Sequence, residues 1–243
     1  MYSESEIQKV IETYGDVTCI HRHRWPDHKS CFARGLIKIK NGGGRLDAKQ
    51  FEKKTGIPWY KVPGTRVGYF DIETDNLNAD FGTVLSWVIK SNGEKRYDCA
   101  VVTKEELFNG TQDRRLVEEF VAALSNYDII CGYYSTGFDF PYMRAKALHY
   151  NIPFPGYGDL YHWDVYYTVK SKLKISRKSL DNACDYLGIV GKTPISKDAW
   201  RKAKYGDPAS LKYVLDHNLG DVDILEELHD RLEFTRQWNK RSV

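Results

Sequence analysis

Asp71 and Glu73 stand two residues apart at the end of an apolar run, residues 67–73, that predicts a β-strand. Because successive side chains of a strand alternate between its faces, both carboxylates point the same way. They repel each other unless they face water or share a cation, and hard divalent cations such as Mg²⁺ prefer oxygen ligands. The pair alone fits either a polar outer strand face or half of a metal site.

A third carboxylate, Asp221, falls within the apolar face of a long predicted helix. Spacings of three and four residues place on this face Val214, Asn218, Asp221, Leu225, Leu228 and Leu232. An unpaired carboxylate there costs several kcal/mol or takes up a proton. Asp221 therefore needs a partner, either a metal ion or a nearby Lys, Arg or backbone amide. Asp223 lies about 200° round the helix, so we expect it in solvent.

A fourth carboxylate, Asp139, follows Phe138 at the start of a helix predicted over residues 138–150. This position is typical of an N-cap, whose side chain accepts a backbone N–H of the first turn. It also suits a ligand if the other acids lie nearby, so both interpretations stay open on this segment alone.

The body of the chain predicts an α/β domain. Its predicted strands cover residues 67–73, 83–90, 95–103, 128–133 and 158–163. The first three form an antiparallel unit, with Ser91-Asn92-Gly93 as a hairpin turn. A predicted helix then places on one face Leu116, Phe120, Val121 and Leu124. The remainder is mostly helical to about residue 238, which favours a mixed five-stranded sheet with helices on both faces.

The N-terminal segment differs from this body in charge. Residues 1–66 hold 13 Lys/Arg and 7 Asp/Glu, a net +6, whereas the rest of the chain is at −3. Three short helices are predicted over residues 3–14, 17–23 and 26–34, in the outline of a helix-turn-helix. We expect residues 1–44 to form a small basic unit with its linker, residues 45–65 a connecting helix and turn, and residues 66–243 the main domain. The basic segment fits polyanion binding or a solvated face.

Cysteine and histidine cluster in that segment at Cys19, His21, His23, His28 and Cys31. They are potential zinc ligands, but they lack the paired Cys-x-x-Cys spacing of a zinc knuckle and also fit a basic surface. The odd total of five cysteines is typical of reduced thiols. No apolar run approaches a membrane span, and the first residues do not resemble a signal peptide, so we expect a cytoplasmic protein, in the host cytoplasm if phage-encoded.

Three segments together resemble the DEDD superfamily of 3′–5′ exonucleases, especially the proofreading domains of family B DNA polymerases and small phage-type stand-alone exonucleases. The segments are FDIET at residues 70–74, ICGYYSTGFDFPYMRA at residues 130–145 and HNLGDVDILEEL at residues 217–228. Lys174, Ser179-Leu180-Asp181 and Leu187-Gly188 are similar to the stretch between the family's second and third motifs. The resemblance covers roughly residues 66–234 and implies an RNase H-like fold.

The resemblance implies hydrolysis of phosphodiester bonds with two Mg²⁺ or Mn²⁺ ions. Asp71 would bridge both ions, Glu73 and Asp221 would complete the first site, and Asp139 would support the second. The implied partner is nucleic acid, with a single-stranded DNA 3′ end favoured and RNA left open. The implied substrate contacts are Thr74, base stacking by Tyr134 and Phe138, and phosphate binding by Lys174, Arg177 and Lys178. From the residues alone, the aromatics fit a core equally well, and the basic residues fit a solvated face.

Two positions depart from the family pattern. Family members usually carry Asn where Tyr134 stands, and carry Tyr four residues, or His five residues, before the last motif's Asp. Here His217 stands four residues before Asp221, one helical turn away on the same face. It suits orienting or deprotonating water, or a hydrogen bond to Asp221. These departures keep two other functions open: a DNA-binding protein on an inactive nuclease scaffold, and a structure-selective endonuclease of the same fold.

Overall fold

The computed structural model describes residues 3–14, 17–19, 24–25, 27, 29–33, 37–39, 66–156, 160–191 and 194–232. The chain divides into two compact units. One consists of Met1–Arg66 with Gly156–Tyr161, and the other of Val67–Pro155 with His162–Val243. None of the helices in the described ranges combines the length and the hydropathy that a bilayer-spanning segment needs.

The described elements of the first unit are two helices and two short strands. They are α1 (Glu4–Tyr14), β1 (Val17–Cys19), α2 (Lys29–Ala33) and β2 (Ile37–Ile39). The predicted capping box of α1 is confirmed: Ser3 N–H donates to Glu6 Oε2 at 2.8 Å, and Glu6 N–H donates to Ser3 Oγ at 3.4 Å. These two bonds satisfy donors that the first turn of a helix leaves open.

The predicted helix over residues 17–23 is wrong where the structure describes it, because Val17–Cys19 forms β1. This strand pairs antiparallel with β2, and Thr18 lies opposite Lys38. Val17 and Thr18 are β-branched residues that favour extended backbone. This strand stands where the sequence predicted the start of the second helix of the helix-turn-helix outline. Cys19 and Cys31 are buried; the histidines of the zinc hypothesis and residues 40–55, the predicted linker and helix, lie outside the described residues.

The second unit is built on a mixed five-stranded sheet, as predicted. The strands are β3 (Val67–Thr74), β4 (Val84–Ser91), β5 (Tyr97–Val101), β6 (Ile129–Gly132) and β7 (Tyr161–Asp164), in the order β5-β4-β3-β6-β7. β4 is antiparallel to both β3 and β5, whereas β6 runs parallel to β3. The strand that carries Asp71 and Glu73 is therefore the middle strand.

β3 is buried along most of its length, and Tyr69, Phe70 and Ile72 are each at most 4% exposed. Its register with β4 shifts between Glu73 and Thr74. Consecutive residues of β3 lie opposite Ser86 and Val84, so Leu85 of β4 is the extra residue of a β-bulge. The bulge lies immediately next to Glu73, at the end of the strand where the carboxylates are placed.

Helices flank this sheet. They are α3 (Lys104–Phe108), α4 (Arg114–Leu124), α5 (Asp139–His149), α6 (Val165–Lys172), α7 (Leu180–Leu187), α8 (Lys197–Ala203) and α9 (Pro208–Leu232). The predicted face of α4 is confirmed at Leu116, Phe120 and Leu124, but Val117 is buried in place of Val121. All six residues of the predicted seam of α9 are buried, and α9 packs on β3 and β4. Asp221 therefore does lie within an apolar seam.

Asp223 is half-exposed, as its position round the helix predicts, but its carboxylate is also paired. Its side chain is 45% exposed, but Oδ1 accepts hydrogen bonds from Lys90 Nζ at 2.5 Å and from the Tyr97 hydroxyl at 2.8 Å. Lys90 Nζ also lies 2.7 Å from Glu226 Oε2. This group of Lys90, Asp223 and Glu226, hereafter the Lys90 clamp, joins β4 to α9, the helix that carries Asp221.

Candidate metal centre

The four predicted carboxylates and His217 line one open cleft of about 390 Å³ in the second unit. Its lining comes from β3, from the segment that leads into α5, from α8 and from α9. The lining residues are Asp71, Ile72, Glu73, Tyr133, Tyr134, Phe138, Asp139, Ile195, Lys197, Trp200, His217 and Asp221. Residues about 150 positions apart in sequence thus meet at the end of β3.

Glu73, His217 and Asp221 form the tightest part of the cleft. Each offers one ligand atom, and these atoms lie within 4.8 Å of one another. His217 Nε2 is 3.7 Å from Glu73 Oε1 and 3.8 Å from Asp221 Oδ2. Both distances exceed hydrogen-bond length, so the hydrogen bond from His217 to Asp221 that the sequence left open is absent from this arrangement.

Asp139 lies against the backbone of β3 rather than capping α5. Its Oδ1 accepts the N–H of Ile72 at 3.2 Å, and Ile72 is the residue between Asp71 and Glu73. The cap position of α5 is Phe138, which makes no side-chain capping bond. The N-cap interpretation of Asp139 is therefore wrong, because Phe138 takes the cap position and the Asp139 carboxylate bonds the strand.

Burial makes Asp139 a weaker acid than an ordinary aspartate. The side chain is 4% exposed, and desolvation raises its pKa to about 7, although the N–H of Ile72 and a second backbone hydrogen bond partly offset the effect. The negative charge of Asp164 raises the pKa further. A cation beside Asp139 would oppose this desolvation and keep the carboxylate ionised, which is the state that ligates metal.

The donor set fits a divalent metal. Carboxylate oxygens, which Mg²⁺, Mn²⁺ and Zn²⁺ all accept, converge on the cleft beside one imidazole nitrogen. The charges are also difficult to hold together without a cation, since Asp221 is 9% exposed and Asp139 is more deeply buried.

The segment before α5 is fixed by a buried carboxylate, Asp164. Its two oxygens accept the N–H groups of Tyr134 at 2.8 Å and Thr136 at 2.9 Å. Tyr134 takes a φ of 56°, a left-handed conformation that Asn adopts more readily than Tyr. Gly137 leaves room for the Tyr134 ring, since a Cβ there would lie 2.6 Å from Tyr134 Cζ. Tyr134 is consequently held at the cleft with its side chain 48% exposed.

Four predicted substrate contacts lie outside the lining of the cleft. Thr74 Oγ1 donates to the carbonyl of Asn76 at 2.8 Å. Lys178 Nζ donates to the carbonyls of Leu173 and Ile175. Lys174 and Arg177 are exposed on the segment between α6 and α7. Their contact with substrate stays a prediction.

Helix α8 brings two residues to the cleft that the sequence did not single out, Lys197 and Trp200. The helix begins after Ser196, whose hydroxyl accepts the N–H of Ala199 at 3.2 Å. The Trp200 ring stands nearly perpendicular to the His217 ring, with centroids 5.1 Å apart. Lys197 and Trp200 are three residues apart, so they lie on one face of α8. Nothing in the sequence indicates that this face meets His217.

Comparison with known proteins agrees with this fold. A family model described as the RNase H superfamily matches residues 68–233. A DNA polymerase of Archaeoglobus fulgidus is 26% identical over 147 residues, which cover 57% of this chain and 17% of that protein. The structure of the family B DNA polymerase from the hyperthermophilic archaeon Pyrobaculum calidifontis is similar with a TM-score of 0.58 and 26% identity, over 70% of this chain and 25% of that one. The chain thus spans a quarter or less of each polymerase.

Proposed function

The chain belongs to the RNase H superfamily, and we propose that it is a metal-dependent 3′–5′ exonuclease that hydrolyses phosphodiester bonds of DNA. The observation that carries this proposal is the convergence of Asp71, Glu73, Asp139 and Asp221 on one cleft. Four carboxylates at the end of one strand do not stabilise a fold, since their mutual repulsion and desolvation both cost free energy. They do suit a reaction that needs bound cations.

In this proposal the carboxylates hold two Mg²⁺ or Mn²⁺ ions. All four carboxylates line the cleft; by the resemblance, Asp71 would serve both ions, Glu73 and Asp221 would hold one, and Asp139 would support the other. When bound, such ions lower the pKa of a water and neutralise charge on the scissile phosphate. The protein keeps these ligands preorganised, because β3 and α9 fix their backbones and Ile72 N–H fixes Asp139.

In this proposal the 3′ end of the nucleic acid lies beside the metal centre. Tyr134 and Phe138 line the cleft and offer aromatic faces on which a terminal base can stack. Lys197 lines the same cleft, is exposed, and supplies a cation for a substrate phosphate. Single-stranded DNA is the proposed substrate, and single-stranded RNA is the alternative substrate to test beside it.

The inactive-scaffold alternative rests on the departures at Tyr134 and His217. The intact set of carboxylates speaks against it, because a binding protein gains nothing from a buried Asp139 and Asp221. An endonuclease of the same fold would use the same cleft and differ only in how the substrate enters.

The test is cleavage of a single-stranded oligonucleotide labelled at its 5′ end, with Mn²⁺ or Mg²⁺ and with EDTA. We expect a ladder that shortens from the 3′ end, no product in EDTA, and no product from the Asp71→Asn variant. Circular single-stranded DNA is the control, because an exonuclease cannot start on it. Cleavage of the circle would make the protein an endonuclease, and an unchanged ladder from Asp71→Asn would refute the metal centre.

A further inference from the structure

The imidazole of His217 lies between two carboxylates of the cleft. Its Nε2 atom is almost equally far from Glu73 Oε1 and Asp221 Oδ2, at 3.7 and 3.8 Å. The side chain is 2% exposed, so bulk water does not separate it from the carboxylates. Hydrogen bonds between nitrogen and oxygen close to about 3.2 Å or less, so the nitrogen is bonded to neither carboxylate and shares a space with both.

These distances match those between ligands of one metal ion. Nitrogen and oxygen ligands lie about 2.0 to 2.2 Å from ions such as Zn²⁺, so two ligands of one ion are roughly 3 to 4 Å apart, depending on the angle between them. Resting on the proposed metal centre, we infer that His217 Nε2 is itself a ligand of the ion held by Glu73 and Asp221. The site then has a mixed nitrogen and oxygen donor set.

The local structure supports this role. His217 and Asp221 are four residues apart on α9, so their side chains project from one face as a chelating pair. His217 Nδ1 is buried and has no hydrogen-bond partner in the described part of the chain. The Trp200 ring packs nearly perpendicular to the imidazole, with the ring centroids 5.1 Å apart. Glu73 reaches the pair from β3, beside the bulge.

A nitrogen ligand changes which metal the site prefers. Mg²⁺ favours oxygen ligands, whereas imidazole increases affinity for transition metals. The Glu73–His217–Asp221 site therefore favours Mn²⁺ or Zn²⁺ over Mg²⁺, and this preference depends on His217. Replacing His217 by Gln should weaken Mn²⁺ binding by about tenfold or more, the scale of a lost interaction of roughly 1.4 kcal/mol, and should leave Mg²⁺ binding much less affected.

The experiment is pulsed electron paramagnetic resonance of the protein loaded with Mn²⁺, combined with calorimetric titration of Mn²⁺ and Mg²⁺. A directly bound imidazole couples its nitrogen to the Mn²⁺ electron spin. We expect nitrogen modulation in the wild type, a change in that modulation after labelling with nitrogen-15 histidine, and its loss in His217→Gln. His149→Gln is the matched control, because His149 is exposed on α5.

The labelled wild type tests the inference even if His217→Gln does not fold. Bound Mn²⁺ without histidine nitrogen modulation, modulation that persists in folded His217→Gln, or no Mn²⁺ binding at all would each overturn it. Failure of the proposed function gives a different result: modulation from His217 without DNA cleavage would refute the exonuclease activity but support His217 as a metal ligand. DNA cleavage by a protein whose Mn²⁺ has only oxygen ligands would support the exonuclease activity and refute His217 as a ligand.

Discussion

Asp139 is a carboxylate that the fold buries at a cost. Its carboxylate accepts backbone N–H groups of its own residue and of Ile72, but desolvation outweighs both bonds and raises its pKa to about 7. A raised pKa in the folded state means that the folded protein binds a proton more tightly than the unfolded chain does. Without metal, Asp139 therefore stabilises the fold most below its unfolded pKa of about 4, and this stability is lost as pH rises through 7.

Replacing Asp139 by Asn should stabilise the metal-free protein at pH 8 by on the order of 2 kcal/mol, because Asn keeps an acceptor for Ile72 N–H and carries no charge. The free energy of unfolding of the wild type in EDTA should fall between pH 4 and pH 7, and this part of the fall should disappear in the variant. Urea denaturation across that pH range measures both effects.

Asp185→Asn is the control for that comparison, because Asp185 is exposed. It should change the free energy of unfolding by less than about 0.5 kcal/mol at every pH. A metal-free Asp139→Asn protein that is less stable than the wild type at pH 8 would mean that the carboxylate is not destabilised by burial.

At the scale of elements, the sequence predicts the features that depend on a repeated spacing of apolar residues. The seam of α9 repeats over six residues and was correct throughout, so the burial of Asp221 followed from spacing alone. The three residues of β1 are too few to show alternation, and they were predicted as helix. The Lys90 clamp joins residues 133 positions apart, and the approach of α8 to His217 is likewise tertiary. No local pattern encodes which helix face meets which strand.

The Lys90 clamp supplies a stability prediction at this scale. Burial disfavours the charged ammonium of Lys90, but Asp223 and Glu226 outweigh this and raise its pKa to about 12. Lys90→Met would leave Glu226, which is 9% exposed, with the Gly93 N–H but without a cation. We expect a loss of about 2 kcal/mol in the free energy of unfolding, since an uncompensated buried charge is costly.

Lys95→Met is the matched control for the clamp, because Lys95 lies exposed in the hairpin between β4 and β5. It should be nearly neutral in the same urea denaturation. Equal stability of Lys90→Met and Lys95→Met would show that the clamp contributes nothing to holding α9 on the sheet.

At the scale of the whole molecule, each unit has its own character. The second unit contains the complete cleft, and the match to the RNase H superfamily falls within residues 68–233. The basic N-terminal residues lie outside that match. Their composition fits a polyanion contact or a solvated face, and β1, paired with β2, stands where the second helix of the predicted helix-turn-helix begins.

The most direct measurement of the central claim compares two aspartates of α9 in one cleavage assay. Asp221 lines the cleft, whereas Asp223, two residues on, belongs to the Lys90 clamp. With saturating Mn²⁺ and a 5′-labelled single strand, we expect Asp221→Asn to release the 3′-terminal nucleotide at least about 1,000-fold more slowly than the wild type, a loss of roughly 4 kcal/mol of transition-state stabilisation. Asp223→Asn should stay within about threefold of wild type. Equal rates for the two variants, or no release by the wild type, would contradict the assignment of this cleft as a metal-dependent nuclease site.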